Sequence, residues 1–227
     1  MTEACYMCED DGVTREHVPP KCLFPEAKDL DEGENYRVNL ITVPSCKAHN
    51  TAKSKDDEYI LFFLAANVVS NDLSKSHFGK KIMRAVNRKP HIFVEFAKKN
   101  TPVTLVGEDG KQINTIAIQI DRERFDSAII HVAHGVYFTK FGERFTGDVS
   151  VFTEGLVDLN GKDSVGFNAQ IQNLGKMLDE FLKSTKEEGD NPEVFTYQSV
   201  YDEKHNQTIL RLNFYGEFKV TSFMKHS

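Results

Sequence analysis

The chain has 227 residues, of which 40% are hydrophobic and 27% are charged. This composition is ordinary for a soluble globular protein and excludes a wholly disordered chain, and the length suits one large domain or two modest ones. The net charge of −6 hides a basic segment, because residues 73–100 carry eight lysines and arginines against one acid. An acidic chain with one basic segment fits contact with a polyanion on one face only.

The N-terminal sequence and the apolar segments argue against export and against a membrane partner. The first residues, Met-Thr-Glu-Ala-Cys, lack the basic and apolar regions of a secretory signal. The longest apolar run, residues 60–69, is interrupted at Asn67 and falls short of the roughly 20 residues that a membrane span needs. We therefore expect a cytoplasmic protein.

The four cysteines all lie in the first fifth of the chain. Cys5 and Cys8 form a C-x-x-C motif, and Cys46 with His49 forms a C-x-x-H motif. Three thiolates and one imidazole at this spacing predict a closed structural zinc site. A C-x-x-C motif also occurs in redox proteins, but there it belongs to a thioredoxin-like βαβ unit, which this sequence lacks. Cys22 lies outside both motifs, and we expect it to be a small buried side chain.

Two strands and a helix are predicted around these motifs. The sequence Glu16-His17 precedes Val-Pro-Pro, where the prolines keep the chain extended and oppose a helix. Adjacent residues on a strand point to opposite faces, although at a strand end or bulge both can turn toward one ion. Residues 36–43 predict a second strand. Ser54 and Asp57 form a capping box at the start of an apolar helix.

This order of motifs resembles the HNH nuclease family, whose ββα-metal core is often stapled by a zinc of the treble-clef type. Many members have a cysteine where His49 stands, and histidine is a sound replacement as a zinc ligand. The resemblance covers about fifty residues. Its motifs are Cys5-x-x-Cys8, Glu16-His17-Val18-Pro19-Pro20, Asn39 and Cys46-x-x-His49-Asn50-x-x-Lys53.

The resemblance implies a role for each residue of the motif. His17 would be the general base that activates water, and Glu16 and Asn50 would hold a catalytic divalent ion, Mg²⁺ or Mn²⁺. Asn39 would support the loop and orient the base, with Asn35 as the alternative for that position. The alternative for His17 is a further zinc-site imidazole or an ordinary loop histidine.

The same residue types suit phosphodiester hydrolysis independently of the resemblance to the HNH family. The reaction needs an activated water and positive charge beside the phosphate. A histidine with a pKa near its usual value of roughly 6.5 supplies the first. A hard divalent cation held by carboxylate and amide oxygens supplies the second.

The basic segment predicts a helix that ends at Pro90 and packs next to the nuclease module. Lysines and arginines on one helix surface bind phosphate without reading sequence, so we expect nucleic-acid contacts from this helix. The alternative is a solvated surface helix. The residues expected to contact phosphate are Lys80, Lys81, Arg84 and Arg88.

Residues 101–227 predict a mixed α+β region with 13 basic and 19 acidic residues, a charge that does not favour nucleic acid. His131 and His134 lie three residues apart on a predicted helix, but no nearby acid or cysteine completes a metal site, so we expect packing or surface roles. The predicted strands of this region cover 102–106, 113–120, 148–152, 194–201 and 208–220. The predicted helices cover 122–145 and 168–183. A hairpin turn is predicted at 107–110 and a charged loop at 183–191.

These observations predict an α+β chain of three parts. Residues 1–70 would form a zinc-bound HNH nuclease module, 71–100 a basic helical connector, and 101–227 an accessory domain that binds a protein partner or sets specificity. The predicted function is metal-dependent hydrolysis of DNA, of the kind found by analogy in bacterial or phage defence. The alternatives are a nuclease for RNA and a zinc-stabilised module that binds nucleic acid or protein without catalysis.

Overall fold

The computed structural model describes residues 3–51, 54–65, 71–88, 100–106, 110–159 and 161–227. It is a mixed α+β structure with 36% helix and 31% strand, which confirms the predicted fold class. Four features named above lie wholly or partly outside the described residues: Lys53, the apolar run 60–69 with its Asn67, the helix end at Pro90 and the turn at 107–110.

The described residues form five α-helices and nine β-strands. The α-helices are α1 (Lys47–Thr51), α2 (Ser54–Ala65), α3 (Asp72–Arg88), α4 (Arg122–Phe141) and α5 (Ser164–Leu182). The strands are β1 (Thr14–His17), β2 (Thr42–Ser45), β3 (Asn100–Val106), β4 (Gln112–Ile118), β5 (Gly147–Thr153), β6 (Glu188–Asn191), β7 (Phe195–Asp202), β8 (Gln207–Phe214) and β9 (Phe218–His226). They pair antiparallel as β1-β2, as β3-β4 and as a five-stranded sheet in the order β5-β9-β8-β7-β6.

The N-terminal part has the order strand, strand, helix that the motifs predicted. The predicted strand over 36–43 is wrong in its first part, because β2 begins only at Thr42. Asn39 interrupts the run with a left-handed backbone angle (φ 51°), which asparagine adopts more readily than most residues. The chain therefore turns before β2 instead of extending through it.

The five-stranded sheet has two chemically different faces, because successive side chains along a strand point to opposite sides. On β8, Leu212 belongs to the buried apolar cluster, whereas the neighbouring Arg211 lies on the other face. Helix α4 covers the apolar face, where Phe125 packs against the ring of Phe218. Helix α5 covers the other face, where Asp179 accepts a hydrogen bond from Arg211 (2.8 Å).

Two predictions about this sheet are wrong. The predicted strand over 208–220 is two strands, because Tyr215 and Gly216 take left-handed backbone angles (φ 50° and 84°) and reverse the chain between β8 and β9. The predicted loop over 183–191 contains β6, whose polar residues are typical of a sheet edge. The other predicted elements of residues 101–227 that the structure describes are confirmed to within four residues at each end.

One buried apolar cluster extends from the N-terminal strands through α2 and α4 to the five-stranded sheet. Two hydrogen bonds also join the region of the five-stranded sheet to the loop between β1 and β2. The Tyr215 hydroxyl donates to the Leu23 carbonyl (2.6 Å), and the Asn191 amide donates to the Val38 carbonyl (2.9 Å). The division at residues 70 and 100 stays a prediction, but the first and last parts share this core.

Helix α3 holds the loop between β1 and β2 with three of its cations. Lys80 donates to the Asp29 carbonyl (2.6 Å), and Lys81 donates to the Cys22 carbonyl (2.9 Å). The Arg84 guanidinium donates two hydrogen bonds to the Asp29 carboxylate (2.6 and 2.7 Å). Because the Asp29 side chain is only 4% exposed, this bidentate pair is the firmest of the three contacts.

The Asp29–Arg84 pair predicts a pH-dependent stability. The hydrogen bonds from Arg84 lower the pKa of the Asp29 carboxyl, so its charge stabilises the folded state above the usual Asp pKa of about 3.9 and this contribution is lost as the pH falls through the lower folded-state pKa. Replacing the carboxylate in Asp29→Asn should reduce the free energy of unfolding at pH 7 by about 1–3 kcal/mol. Urea unfolding from pH 7 to pH 2 should show the difference shrinking below about pH 4.

The matched control is Asp31→Asn, which removes an exposed carboxylate two residues away. It should change the free energy of unfolding by less than about 0.5 kcal/mol. Equal effects of the two substitutions would contradict a specific role for the Asp29 pair.

Helix α4 lies so close to the end of β1 that Gly135 has no room for a side chain. A Cβ on Gly135 would lie 2.4 and 2.8 Å from the two methyl groups of buried Val18. A methyl group at Gly79 of α3, in contrast, would meet nothing within 4 Å. The two glycines are therefore a matched pair with opposite expectations.

Gly135→Ala should lower the free energy of unfolding by about 1–3 kcal/mol, because stiff and buried Val18 cannot move aside. Gly79→Ala should raise it by roughly 0.5–1 kcal/mol, because alanine favours the helix and the site is open. Chemical denaturation measures both, and a stabilising Gly135→Ala would contradict the close contact.

Candidate metal centre and the adjoining strand

Four metal-ligating side chains come together where β2 ends. Cys5 and Cys8 lie in a turn before β1, which the Cys5 N–H closes by donating to the Asp10 carbonyl (2.8 Å). Cys46 follows β2 directly, and His49 is on α1. The four ligand atoms lie within 4.8 Å of one another, as the spacing of the two motifs predicted.

The separations between these atoms match a tetrahedron around a single ion. Zinc lies about 2.3 Å from sulfur and about 2.0–2.1 Å from nitrogen, so tetrahedral ligands are about 3.8 Å apart for two sulfurs and about 3.5 Å apart for sulfur and nitrogen. The Cys8 and Cys46 sulfurs are 3.8 Å apart. The His49 Nδ1 atom is 3.6 Å from the Cys5 sulfur and 3.2 Å from the Cys46 sulfur. The four residues could therefore hold a metal such as zinc.

The environment of these ligands suits a structural site. Cys5 and Cys46 are buried, and Cys8 and His49 are partly buried. The Met7 N–H points at the Cys5 sulfur (3.5 Å), where it would stabilise a thiolate. Four protein ligands fill a tetrahedron and leave no position for a reacting water, which is the arrangement of structural zinc.

Cys22 lies apart from this group, as the sequence predicted. It is partly buried against the core, and its thiol donates to the Asp57 carbonyl (3.3 Å). Burial raises the pKa of this thiol to about 12. Its position outside the group of converging ligand atoms, and not this pKa, sets Cys22 apart from the other three cysteines.

Helix α4 passes beside the group with His131 and His134. The His131 ring lies 6.1 Å from the ring of His49, centroid to centroid. The pKa of His134 is lowered to about 4, mainly by burial and further by the nearby positive charges of His131, His49 and Arg144. The His134 ring is therefore neutral at pH 7. The sequence assigned these histidines packing or surface roles, but it gave no sign that they lie next to the metal ligands, because the packing of α4 depends on contacts far apart in the chain.

Glu16 and His17 lie on β1, and their side chains point to opposite faces. The pairing of β1 with β2 is regular, with Glu16 opposite Val43 and His17 opposite Thr42, so no bulge turns the two toward each other. Glu16 is only 5% exposed. Burial raises the pKa of the nearby Tyr6 hydroxyl, and the negative charge of Glu16 raises it further. His17 is partly exposed.

The surroundings of His17 favour its neutral form. Partial burial lowers the pKa of its imidazole, and the positive charges of Lys21 and Arg37 lower it further. A neutral imidazole can accept a proton, as a general base must. Positive charges near His17 would also attract an anionic phosphate.

The three asparagines of the predicted site have different surroundings. Asn50 lies on α1 and is tied to β1, because its amide donates to the Thr14 hydroxyl (2.9 Å) and to the Arg15 carbonyl (3.3 Å). Asn39 is exposed at the rim of a shallow groove that β6 also lines. Asn35 is exposed and accepts a hydrogen bond from the Arg37 N–H (2.9 Å). The structure therefore brings Asn50 to the strand of Glu16 and His17.

Three of the four basic residues assigned to phosphate contact make the hydrogen bonds of α3 described above. Lys80, Lys81 and Arg84 contact the loop between β1 and β2, and burial lowers the pKa of Lys81. The structure does not describe the side chain of Arg88. Phosphate binding by this helix stays a prediction, and the three contacts give its cations a role in the fold.

Comparisons with protein-family models, with curated proteins and with solved structures give no match for this chain. Within the described part of the chain, no helix is both long enough and apolar enough to cross a membrane. Among the same residues, Cys5, Cys8, Cys46 and His49 are the one group of three or more histidine, cysteine or acidic side chains whose ligand atoms converge.

The ligand group predicts the metal content of the protein. Purified protein should contain about one zinc per chain, measured by plasma mass spectrometry. Cys8→Ser should lose the metal and unfold in part, because the binding free energy of a structural zinc contributes directly to folding.

The matched control is Cys22→Ser, which removes a thiol that lies outside the ligand group. It should keep the zinc content of the wild type. Metal-free wild-type protein that folds normally, or equal metal loss in both variants, would contradict the assignment.

Proposed function

We propose that this chain is a zinc-stabilised, metal-dependent endonuclease of the HNH type that hydrolyses phosphodiester bonds in DNA. The observation that carries the proposal is the position of the ligand group between the N-terminal turn, the end of β2 and α1. A zinc bound there would fix α1 beside β1, where Asn50 contacts Arg15, the residue before Glu16.

The proposed roles follow from the chemistry of each side chain. His17 would accept the proton of the attacking water, and the depressed pKa of its imidazole keeps it in the form that can do so. Glu16 and Asn50 offer carboxylate and amide oxygens, which suit Mg²⁺ or Mn²⁺. A divalent ion bound there would supply positive charge for the phosphate oxygens. We expect such an enzyme in the cytoplasm, where its cysteines stay reduced.

One observation favours a second candidate function. Glu16 is buried and points away from the face of His17, whereas a one-ion nuclease needs the base and the ion at the same phosphate. A buried structural Glu16 suits a zinc-stabilised module that binds nucleic acid or protein without catalysis. In either case the acidic residues 101–227 are the part we assign to a protein partner.

A cleavage assay separates the two candidates. Supercoiled plasmid and a structured RNA are incubated with the protein and Mg²⁺ or Mn²⁺, and products are followed by gel electrophoresis. We expect plasmid cleavage, with RNA cut more slowly or not at all. His17→Ala should reduce the rate by about 10²–10⁴-fold, because only the general base is lost. His205→Ala, which removes an exposed histidine of the turn between β7 and β8, should cut as fast as wild type.

The metal dependence distinguishes the roles of the three residues. Glu16→Ala and Asn50→Ala should lose activity because they weaken the divalent ion, so a higher Mn²⁺ concentration should restore part of it. The same increase should leave the His17→Ala rate unchanged. Wild-type protein that carries zinc and binds nucleic acid or protein but cuts neither DNA nor RNA would identify the binding module instead.

A further inference from the structure

Helix α5 carries apolar side chains on two sides. Its inward residues, including Leu178 and Leu182, are buried against the sheet. Four large apolar side chains next to this face are 49%, 38%, 69% and 52% exposed, in chain order Phe167, Leu174, Met177 and Phe181. At 3.6 residues per turn they fall within about 80° of arc. We call these four residues the α5 stripe.

The α5 stripe is large enough to mark an interaction site. A phenylalanine side chain buries about 150–250 Å² when covered, so the two half-exposed rings of the stripe offer about 200 Å² between them. Leu174 and Met177 bring the exposed apolar area to about 400 Å². Contiguous exposed patches of this size on soluble chains are commonly functional.

Three of the four residues of the α5 stripe are spaced symmetrically about Leu174, whereas Met177 has no counterpart within the stripe. Phe167 precedes Leu174 by seven residues, and Phe181 follows it by seven. Residues seven apart form a seam along one side of a helix, as in coiled coils. A second α5 helix, antiparallel and related by a two-fold axis at Leu174, would place Phe167 of each copy against Phe181 of the other. Phe167, Leu174 and Phe181 are therefore self-complementary under this axis, which a two-fold interface requires.

We propose that the α5 stripe is the interface of a homodimer in which two α5 helices pack antiparallel. Two stripes contribute about 800 Å² of apolar area, and since interfaces are about 56–65% apolar, the dimer would bury about 1,300 Å² in total. This value lies within the range of about 1,200–2,000 Å² for stable interfaces.

The charges of α5 select the antiparallel arrangement. Residues 164–175 carry no charged side chain, whereas residues 176–182 carry three. An antiparallel pair places the charged half of one helix against the uncharged half of the other. A parallel pair would place the charged halves of both copies, each with a net charge of −1, side by side, and like net charges oppose association.

Sedimentation equilibrium on the full chain tests the proposal, over protein concentrations from about 1 to about 100 µM. We expect a reversible dimer. Phe181→Lys should raise the dimer dissociation constant at least about tenfold, because it places a charge in an apolar contact. Val165→Lys is the control, since Val165 is 84% exposed on the same helix but lies outside the stripe, and it should leave the dissociation constant unchanged.

The pairing direction is tested by combining two substitutions. Phe167→Glu and Phe181→Lys should each weaken the dimer, and the double variant should recover part of the affinity, because the antiparallel pair places each glutamate against a lysine. Thermal unfolding of every variant confirms its fold, and Met177→Lys replaces Phe181→Lys if that variant unfolds.

Three results would overturn the proposal. The first is a wild-type protein that stays monomeric over the whole concentration range. Flotation of that monomer with phosphatidylglycerol vesicles would show that the stripe binds lipid instead. The second is a dimer that Phe181→Lys and Met177→Lys leave intact. The third is equal weakening by Val165→Lys, which would remove the stripe as the contact.

Discussion

Two separate chain segments meet at the ligand atoms of Cys5, Cys8, Cys46 and His49, and the elements around them are too short to hold that arrangement alone. The strands β1 and β2 have four residues each, and α1 has five. A two-stranded sheet of this length is marginal at best in water. A metal that joins Cys8 to Cys46 closes a long loop, and so it would add stability to that of the shared apolar core.

The second support of this region is α4, which crosses the end of β1 at Gly135 and passes His49 with His131. Helix α4 is in turn fixed to α2, since the Asp121 N–H donates to the Tyr59 hydroxyl (2.6 Å) and Arg124 pairs with Asp56 (2.6 Å). The conformation of β1 therefore depends on residues more than a hundred positions away. A fragment that ends near residue 70 would lose these contacts, although it would keep all four metal ligands.

The parts of the structure that the sequence predicted are those set by local patterns. The two motifs predicted the metal ligands because each knuckle needs only a three-residue spacing, and α4 was predicted from its apolar periodicity. Two of the three errors came where a single backbone angle decides the outcome, at Asn39 and at Tyr215, and the third is β6, whose polar edge-strand sequence resembles a loop. The opposite directions of Glu16 and His17 depend on strand register, and the contacts of Lys81 and Arg84 depend on the docking of α3. A count of charges along the sequence carries no information on the register of β1 or on the docking of α3.

The two faces of the five-stranded sheet separate the two interaction surfaces that we assign. The metal ligands and β1 lie on the side of α4, where the sheet is apolar. On the other side the sheet carries the buried guanidinium of Arg211, which pairs with Glu154 and Asp179, and burial raises the pKa of Glu154 despite this cation. Ion pairs of this kind fix the position of a helix without supplying much apolar burial, because desolvation offsets most of their attraction. Helix α5 is thus placed by polar contacts together with its buried leucines, and it keeps further large apolar side chains for a contact of its own. Because α5 and α4 cover opposite faces, pairing two chains through α5 would leave β1 and the metal ligands of both copies uncovered.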